Sequence, residues 1–97
     1  MLVLVTYDVN VTTRAGEKRL RHIAKVCLDH GVRVQNSVFE CEVDPAQWVQ
    51  FKAELLQIYD PAQDSLRFYM LGKRGMDKVE HCGANPTQNP IHSTLII

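Results

Sequence analysis

The residue whose type and position best suit chemistry is Asp8, near the end of the run LVLVTYDV at residues 2–9. A nearly continuous β-branched and apolar run of this kind predicts a strand buried on both faces in the middle of a sheet. A carboxylate at the end of such a strand is held rigidly and needs a cation or hydrogen-bond donors as partners. Two interpretations are therefore open: Asp8 caps the loop that follows, or it binds a divalent cation.

A metal site built on Asp8 needs a second source of ligands. Mg²⁺ usually keeps several waters and takes one or two carboxylates, so a single aspartate is a poor site. A twofold dimer would double Asp8 and remove that objection. The four histidines have no mutual metal-ligand spacing and the three cysteines form no C-x-x-C pair. We therefore expect surface histidines and small, buried, apolar cysteines rather than a zinc site or a disulfide framework.

Basic side chains follow this strand closely, although the chain has no net charge. Residues 14–25 contain five basic residues and one acidic residue, whereas residues 40–64 contain six acidic residues and one basic residue. Helical periodicity begins near residue 14, with an apolar stripe of Leu20, Ile23, Ala24, Cys27 and Leu28. The opposite face carries a basic ridge of Arg14, Lys18, Arg21 and Lys25. The ridge favours an anionic ligand, naturally nucleic acid, while a merely solvated helix face is the alternative.

A second group of polar residues lies on residues 32–43, where the apolar phase of the strand pattern slips by one residue. Such a slip requires a turn or bulge, which we place at residues 35–37 between two strands. Alternating side chains there would suit a phosphate backbone, namely Arg33, Gln35, Ser37 and Phe39. Ordinary hairpin residues explain them nearly as well, and no run of stacking aromatics matches an RNA-binding sheet.

Two further elements complete the frame that must hold these residues. Asp44 and Pro45 begin a second helix, with Gln47 placed for a capping box and Trp48 and Phe51 on its core stripe. Residues 65–71 alternate as a strand. The order β-α-β-β-α-β predicts an α+β, ferredoxin-like domain over residues 1–71, with a four-stranded antiparallel sheet and both helices on one face.

The remaining residues, 72–97, are rich in Gly, Pro, Asn and Thr and are too long for an ordinary loop. We expect this extension to end in an apolar strand that has no place in its own sheet and pairs with a second protomer, through Leu95, Ile96 and Ile97. A chain of 97 residues buries a limited core, so dimerisation would add useful apolar burial.

Several classes of protein are excluded by the same sequence. The chain is too short for a multidomain enzyme, and its apolar runs are far shorter than the roughly 18 residues of a membrane span. The first residues resemble no secretory signal, so we expect a cytoplasmic protein. No Ser-His-Asp set, P-loop or dinucleotide-binding fingerprint is found.

Five segments of the sequence resemble the Cas-two family of CRISPR-associated proteins. They are LVLVTYDV at residues 2–9, KRLRHIAK at 18–25, GVRVQNSVFEC at 31–41, DSLRFY at 64–69 and VEHCG at 79–83. The resemblance covers nearly the whole chain and is most specific at R-V-Q-x-S-V-F-E. The short form of the chain looks most like the subtype I-C members of the family.

The resemblance implies a ferredoxin-like homodimer that acts in CRISPR adaptation, where it bridges the Cas-one integrase and holds the duplex DNA of a new spacer. It also implies a magnesium- or manganese-dependent endonuclease that acts on single-stranded RNA or double-stranded DNA. In that scheme Asp8 is the metal ligand and catalytic residue, paired with its copy across the twofold axis. Tyr7 neighbours the site, and further matched positions are associated with substrate or active-site support: Arg19, Arg21, Arg33, Ser37 and Phe39.

Three hypotheses about function therefore stand beside one another. The first is a phosphodiesterase in which two copies of Asp8 hold a cation and bases including Arg14 and Lys18 hold the strand. The second is a non-catalytic dimeric scaffold that needs only the basic surface and the C-terminal extension. The third, a small-molecule-sensing domain, fits the fold but not the basic ridge.

Overall fold

Two α-helices and five β-strands make up the part of the chain that the computed structural model describes, residues 1–72 and 75–84. In chain order they are β1 Leu2–Asp8, α1 Arg14–His30, β2 Gly31–Gln35, β3 Val38–Glu42, α2 Pro45–Ile58, β4 Ser65–Gly72 and β5 Gly75–Gly83. The strands form one sheet in the order β2-β3-β1-β4-β5, and every neighbouring pair is antiparallel. The first four strands confirm the predicted ferredoxin-like order, with β1 between β3 and β4.

One face of the sheet packs against both helices. Because side chains alternate along a strand, β1 sends Val3, Val5 and Tyr7 to this face. They join one buried cluster with residues from both helices, among them Ile23 and Cys27 of α1 and Trp48, Phe51 and Leu55 of α2. The prediction that Trp48 and Phe51 belong to the core is confirmed, with the two rings meeting edge to face at a centroid distance of 5.7 Å.

The fifth strand corrects the expected strand count. The sequence predicted four strands in this sheet and a tail with no free place in it, but β5 pairs with β4 from Ser65 opposite Gly83 to Gly72 opposite Gly75. The segment GMDKVEHCG has few apolar residues, as is common for edge strands, so its hydrophobic pattern gave little signal. The predicted pairing of Leu95, Ile96 and Ile97 with a second protomer falls outside the described residues.

Helix α1 begins as predicted but differs in two details. Thr13 caps it, since its hydroxyl accepts a hydrogen bond from the Gly16 amide at 3.1 Å. Leu28, expected on the buried stripe, is 53% exposed, and Val26 is buried instead. Gly31 ends the helix in an extended conformation. Glycine is needed there because a Cβ atom would meet the Glu40 carbonyl of β3.

Helix α2 and the β2-β3 hairpin confirm two local predictions. The Asp44 carboxylate accepts from the Gln47 amide at 2.7 Å, and the Gln47 side chain accepts from the Asp44 amide at 2.9 Å, which is a capping box. The pairing of β2 with β3 shifts register between Arg33 and Gln35, directly before the turn that separates the two strands.

Candidate nucleic-acid interface and its carboxylates

Asp8 lies at the carboxyl end of the central strand with its side chain exposed. In register it faces Ser65, the first residue of β4. Because Tyr7 points to the helices, alternation places the Asp8 side chain on the opposite face of the sheet. Within residues 1–72 and 75–84 no three His, Cys, Asp or Glu side chains are grouped as a metal site. Asp8 therefore supplies one carboxylate and belongs to no such group of three among the described residues.

Tyr7, Arg33 and Phe39 form a stack on the helix side of the sheet. The Tyr7 and Phe39 rings lie 6.0 Å apart between centroids, and the Arg33 guanidinium carbon lies 5.1 Å from the centre of the Phe39 ring. Phe39 has no exposed surface, so it supports its neighbours from within the core. Arg33 is exposed and is the member of the stack that can reach a ligand.

The β2-β3 turn holds Tyr7 in this stack. The Tyr7 amide donates to the Ser37 carbonyl at 3.2 Å, and its hydroxyl donates to the Asn36 carbonyl at 3.4 Å. Burial raises the pKa of the Tyr7 hydroxyl, as does Cys27, while Arg33 partly offsets both. Tyr7 therefore stays a neutral phenol at neutral pH. Ser37 contributes its main chain to this arrangement.

Arg19 differs from the other bases of α1 because it forms a buried ion pair. Its Nε atom donates to Asp64 Oδ2 at 2.7 Å and its Nη2 atom donates to Asp64 Oδ1 at 3.3 Å. The Arg19 side chain is 16% exposed and that of Asp64 is 0% exposed. A planar guanidinium with two parallel hydrogen bonds to one carboxylate is a geometrically specific and strong contact.

Asp64 collects further hydrogen bonds from two loops. Its Oδ1 atom accepts from the Asn10 amide at 3.0 Å, and its Oδ2 atom accepts from the Asp60 amide at 2.9 Å. Burial by itself would raise the pKa of this carboxyl, but the hydrogen bonds from Arg19 and the two amides outweigh it, so the pKa is lowered. Asp64 is thus ionised at neutral pH and ties together α1, the loop after β1 and the α2-β4 turn.

Asp64 was not among the site residues predicted from the sequence. It is one of two aspartates in the turn DPAQDS, where either could cap or bend the chain. The available signal was its place directly before a buried strand, together with an arginine among the bases of α1. Sequence spacing cannot match residues 19 and 64, since the contact between them spans 45 positions.

The basic ridge is solvent-exposed as predicted. Its four members are Arg14, Lys18, Arg21 and Lys25. Among the described residues, Lys25 of the ridge forms a weak ion pair, since its Nζ atom lies 4.0 Å from Asp29 Oδ2. The ridge belongs to the helix side of the molecule, whereas Asp8 points to the other face of the sheet. One chain therefore presents the bases and the exposed carboxylate on different surfaces.

The cysteines and histidines were expected to carry no chemistry. Cys27 and Cys41 are fully buried, which confirms their prediction as core residues, and burial raises the pKa of Cys41 to about 11. Such thiols are poor nucleophiles because they are protonated at neutral pH. Two histidines are less exposed than predicted: His30 stacks on Phe51 at 4.3 Å, and His81 Nδ1 lies 2.6 Å from Arg67 Nη2.

Comparison with known proteins gives a consistent result. The family model for CRISPR associated protein Cas2 matches residues 1–79. The chain is 58% identical over 97 residues to the CRISPR-associated endoribonuclease Cas2 of Chlorobaculum tepidum, covering 100% of both chains. It is 54% identical to the CRISPR-associated endonuclease Cas2 of Halalkalibacterium halodurans, covering 90% of this chain and 91% of that one. The crystal structure of Streptococcus pyogenes Cas2 at pH 6.5 aligns with a TM-score of 0.71 and 66% identity, over 75% of this chain and 88% of that one.

Proposed function

The chain belongs to the CRISPR-associated Cas2 family, and from this premise we propose that it is a metal-dependent endonuclease of CRISPR adaptation, acting on single-stranded RNA or double-stranded DNA. The observation that carries the proposal is the exposed Asp8 carboxylate at the end of the central strand. Two of its relatives support the reaction type, because they are called endoribonuclease and endonuclease. Asp8 is the proposed catalytic residue and metal ligand.

A site for Mg²⁺ or Mn²⁺ at Asp8 would be completed by a second chain. Both ions favour hard oxygen ligands, and Asp8 offers one carboxylate whose oxygens face solvent. We therefore place the second carboxylate in the Asp8 of a second copy, in a homodimer. A bound divalent cation would act as a Lewis acid towards a phosphate oxygen. The rigid central strand would hold each carboxylate in place.

The exposed bases supply the surface that holds nucleic acid. From Arg14 to Lys25 the ridge extends roughly 16 Å along the axis of α1, about the rise of five base pairs. Neutralising phosphates on this scale gives salt-dependent binding without sequence preference. Arg33, which is exposed above the Phe39 ring, adds a base on the β2-β3 hairpin.

A second candidate function is the dimeric scaffold that bridges the Cas-one integrase and holds prospacer duplex. One observation favours it: the ridge and Asp8 lie on different sides of the sheet. Duplex bound along the ridge would therefore not need to approach Asp8. In this case the ridge would be essential and Asp8 dispensable.

Cleavage of end-labelled single-stranded RNA and duplex DNA tests the first proposal. We expect wild type to cut with Mg²⁺ and not with EDTA, and Asp8→Asn to lose at least about a hundredfold in rate, since it removes a metal ligand. Asp29→Asn is the matched control, because Asp29 is also an exposed aspartate but lies on α1. Equal cutting by wild type and Asp8→Asn would contradict the catalytic assignment.

Duplex binding without metal separates the two candidates. We expect Arg21→Ala to weaken binding and to lower the slope of log K against log salt by about 0.9. Asp8→Asn should leave that slope unchanged. A wild type that binds duplex but cuts neither substrate would favour the scaffold over the endonuclease.

A further inference from the structure

We propose that Arg19 and Asp64 form a positioning pair for Asp8, so that Arg19 serves the reaction through the Asn10 loop and not by touching nucleic acid. The kinetic part of this inference rests on the proposed endonuclease function. Its structural part concerns only the contacts of Arg19, Asn10 and Asp64.

Asp64 holds the chain on both sides of Asp8. Asn10 comes two residues after Asp8, and its amide donates to Asp64 Oδ1 at 3.0 Å. Ser65 comes directly after Asp64 and is the register partner of Asp8 on β4. The carbonyl of Asp64 also accepts from the Ala84 amide at 2.9 Å, which ties the end of β5 to the same point. Movement of Asp64 would therefore reach Asp8 through two separate connections.

Helix α1 confines the Asn10 loop from the other side. Gly16 lies close to the Asn10 carbonyl and to the Val11 Cα atom. A Cβ atom at position 16 would collide with the Asn10 carbonyl. Within the loop, the Asn10 side chain accepts from the Thr12 amide at 3.0 Å and from the Thr12 hydroxyl at 2.7 Å. The loop is thus clamped between Gly16 and Asp64, and only the Asp64 side depends on an ion pair.

Arg19 has few hydrogen-bond donors left for a phosphate. Its Nε and Nη2 atoms are both directed to Asp64, and its side chain is 16% exposed. Arg21, two residues further along the helix, is exposed. A phosphate bound by Arg19 would have to compete with a buried carboxylate that would then lose its strongest partner. The geometry therefore assigns different roles to these two arginines.

The first test measures the structural part without metal or cleavage. Hydrogen exchange of the Asn10 amide is followed in wild type, Arg19→Met and Arg21→Met. We expect at least about tenfold faster exchange in Arg19→Met, because loss of the guanidinium loosens Asp64, and no change in Arg21→Met. Salt titration of duplex binding is followed in the same three proteins. We expect the slope to fall by about 0.9 in Arg21→Met and to stay at the wild-type value in Arg19→Met.

The second test measures the kinetic part. For Arg19→Met we expect roughly a ten- to hundredfold lower kcat with KM for nucleic acid within about twofold of wild type, since a displacement of Asp8 by about 1 Å is costly. The Mg²⁺ concentration for half-maximal rate should rise as well. Arg19→Lys, which keeps the charge and one hydrogen bond, should recover part of kcat. A role in stability alone would change none of these values below the melting temperature.

The outcomes separate this inference from the proposed function. If wild type does not cleave, the endonuclease proposal fails, while Asn10 exchange and the salt slope still decide the Arg19 assignment. If Arg19→Met lowers the salt slope as Arg21→Met does, or leaves Asn10 exchange unchanged, the positioning pair is overturned. If Arg19→Met does not fold, the same measurements are made on Arg19→Lys. We expect an intermediate rise in the exchange rate of the Asn10 amide, and an unchanged exchange rate would overturn the positioning pair.

Discussion

Asp8 and Asp64 are two aspartates at the same end of adjacent strands with opposite environments. Asp8 ends β1 with its carboxylate exposed, whereas Asp64 precedes β4 with a carboxylate that has no exposed surface and accepts four hydrogen bonds. A carboxylate that binds a ligand must keep lone pairs open to it. A carboxylate that holds loops together must have its lone pairs occupied. The structure therefore separates the residue that can react from the residue that keeps it in place.

The largest expected effect is on stability, in Asp64→Ala. Removing the carboxylate leaves the Arg19 guanidinium partly buried without its partner and two amides without acceptors, so we expect a loss of about 3–5 kcal/mol in the free energy of unfolding. Asp8→Ala should change it by less than about 0.5 kcal/mol, because that side chain is exposed. Urea unfolding of both variants measures this difference. Similar losses in the two would contradict the division of roles.

Acid titration sharpens the same comparison. The pKa of Asp64 is lowered from its ordinary value of 3.8 in the folded state, so the unfolded chain takes up its proton first as pH falls. Asp64 therefore stabilises the fold above about pH 3.8, and this contribution is lost as pH falls towards the folded pKa. We expect the unfolding free energy of wild type to fall more steeply below pH 4 than that of Asp64→Asn, by at most about 1.4 kcal/mol per pH unit for one proton. Parallel curves for the two proteins would contradict the assignment.

Local patterns predicted the frame around these aspartates well. Three signals depend only on residues close together in the sequence: the β1 run, the change to helical spacing at Arg14 and the Asp44-Gln47 capping box. Such signals can be read along the chain. The fifth strand was missed because its sequence lacks the apolar alternation that marks a strand buried on one face.

The candidate site was predictable only in part, for a physical reason. Asp8 was predictable because it ends an apolar run that predicts a buried strand. Arg19 looked like any other base of α1, since its partner Asp64 is 45 positions away and no local spacing connects the two. Alternation along β1 divides its residues between two faces, but the packing of the helices decides which face is covered. The sequence therefore did not show that Asp8 and the basic ridge lie on different sides of the sheet.

Substitution of a third aspartate, Asp44, should lower the free energy of unfolding by an amount between those for Asp8 and Asp64. Asp44 is exposed like Asp8, but its carboxylate accepts from the Gln47 amide at 2.7 Å at the start of α2. Asp44→Ala removes an N-cap, so we expect a loss of about 1 kcal/mol in urea unfolding. Asp44→Ser should recover most of it, because serine also caps helices. No recovery by serine would show that the charge, and not the hydrogen bond, stabilises the helix start.

Substitution of Asp29 should have the smallest effect on stability, and it is the control for Asp8 in cleavage. The Asp29 carboxylate lies 4.0 Å from Lys25, both side chains are more than half exposed, and the lysine precedes the acid, which is the weaker order on a helix. Asp29→Asn should therefore lower the unfolding free energy by about 0.3 kcal/mol or less and leave cleavage at the wild-type rate. If it impaired cleavage as strongly as Asp8→Asn, loss of any exposed acid would suffice, and the position of Asp8 at the end of β1 would no longer explain its role. An unchanged rate would leave that position as the property that distinguishes Asp8 from an ordinary surface aspartate.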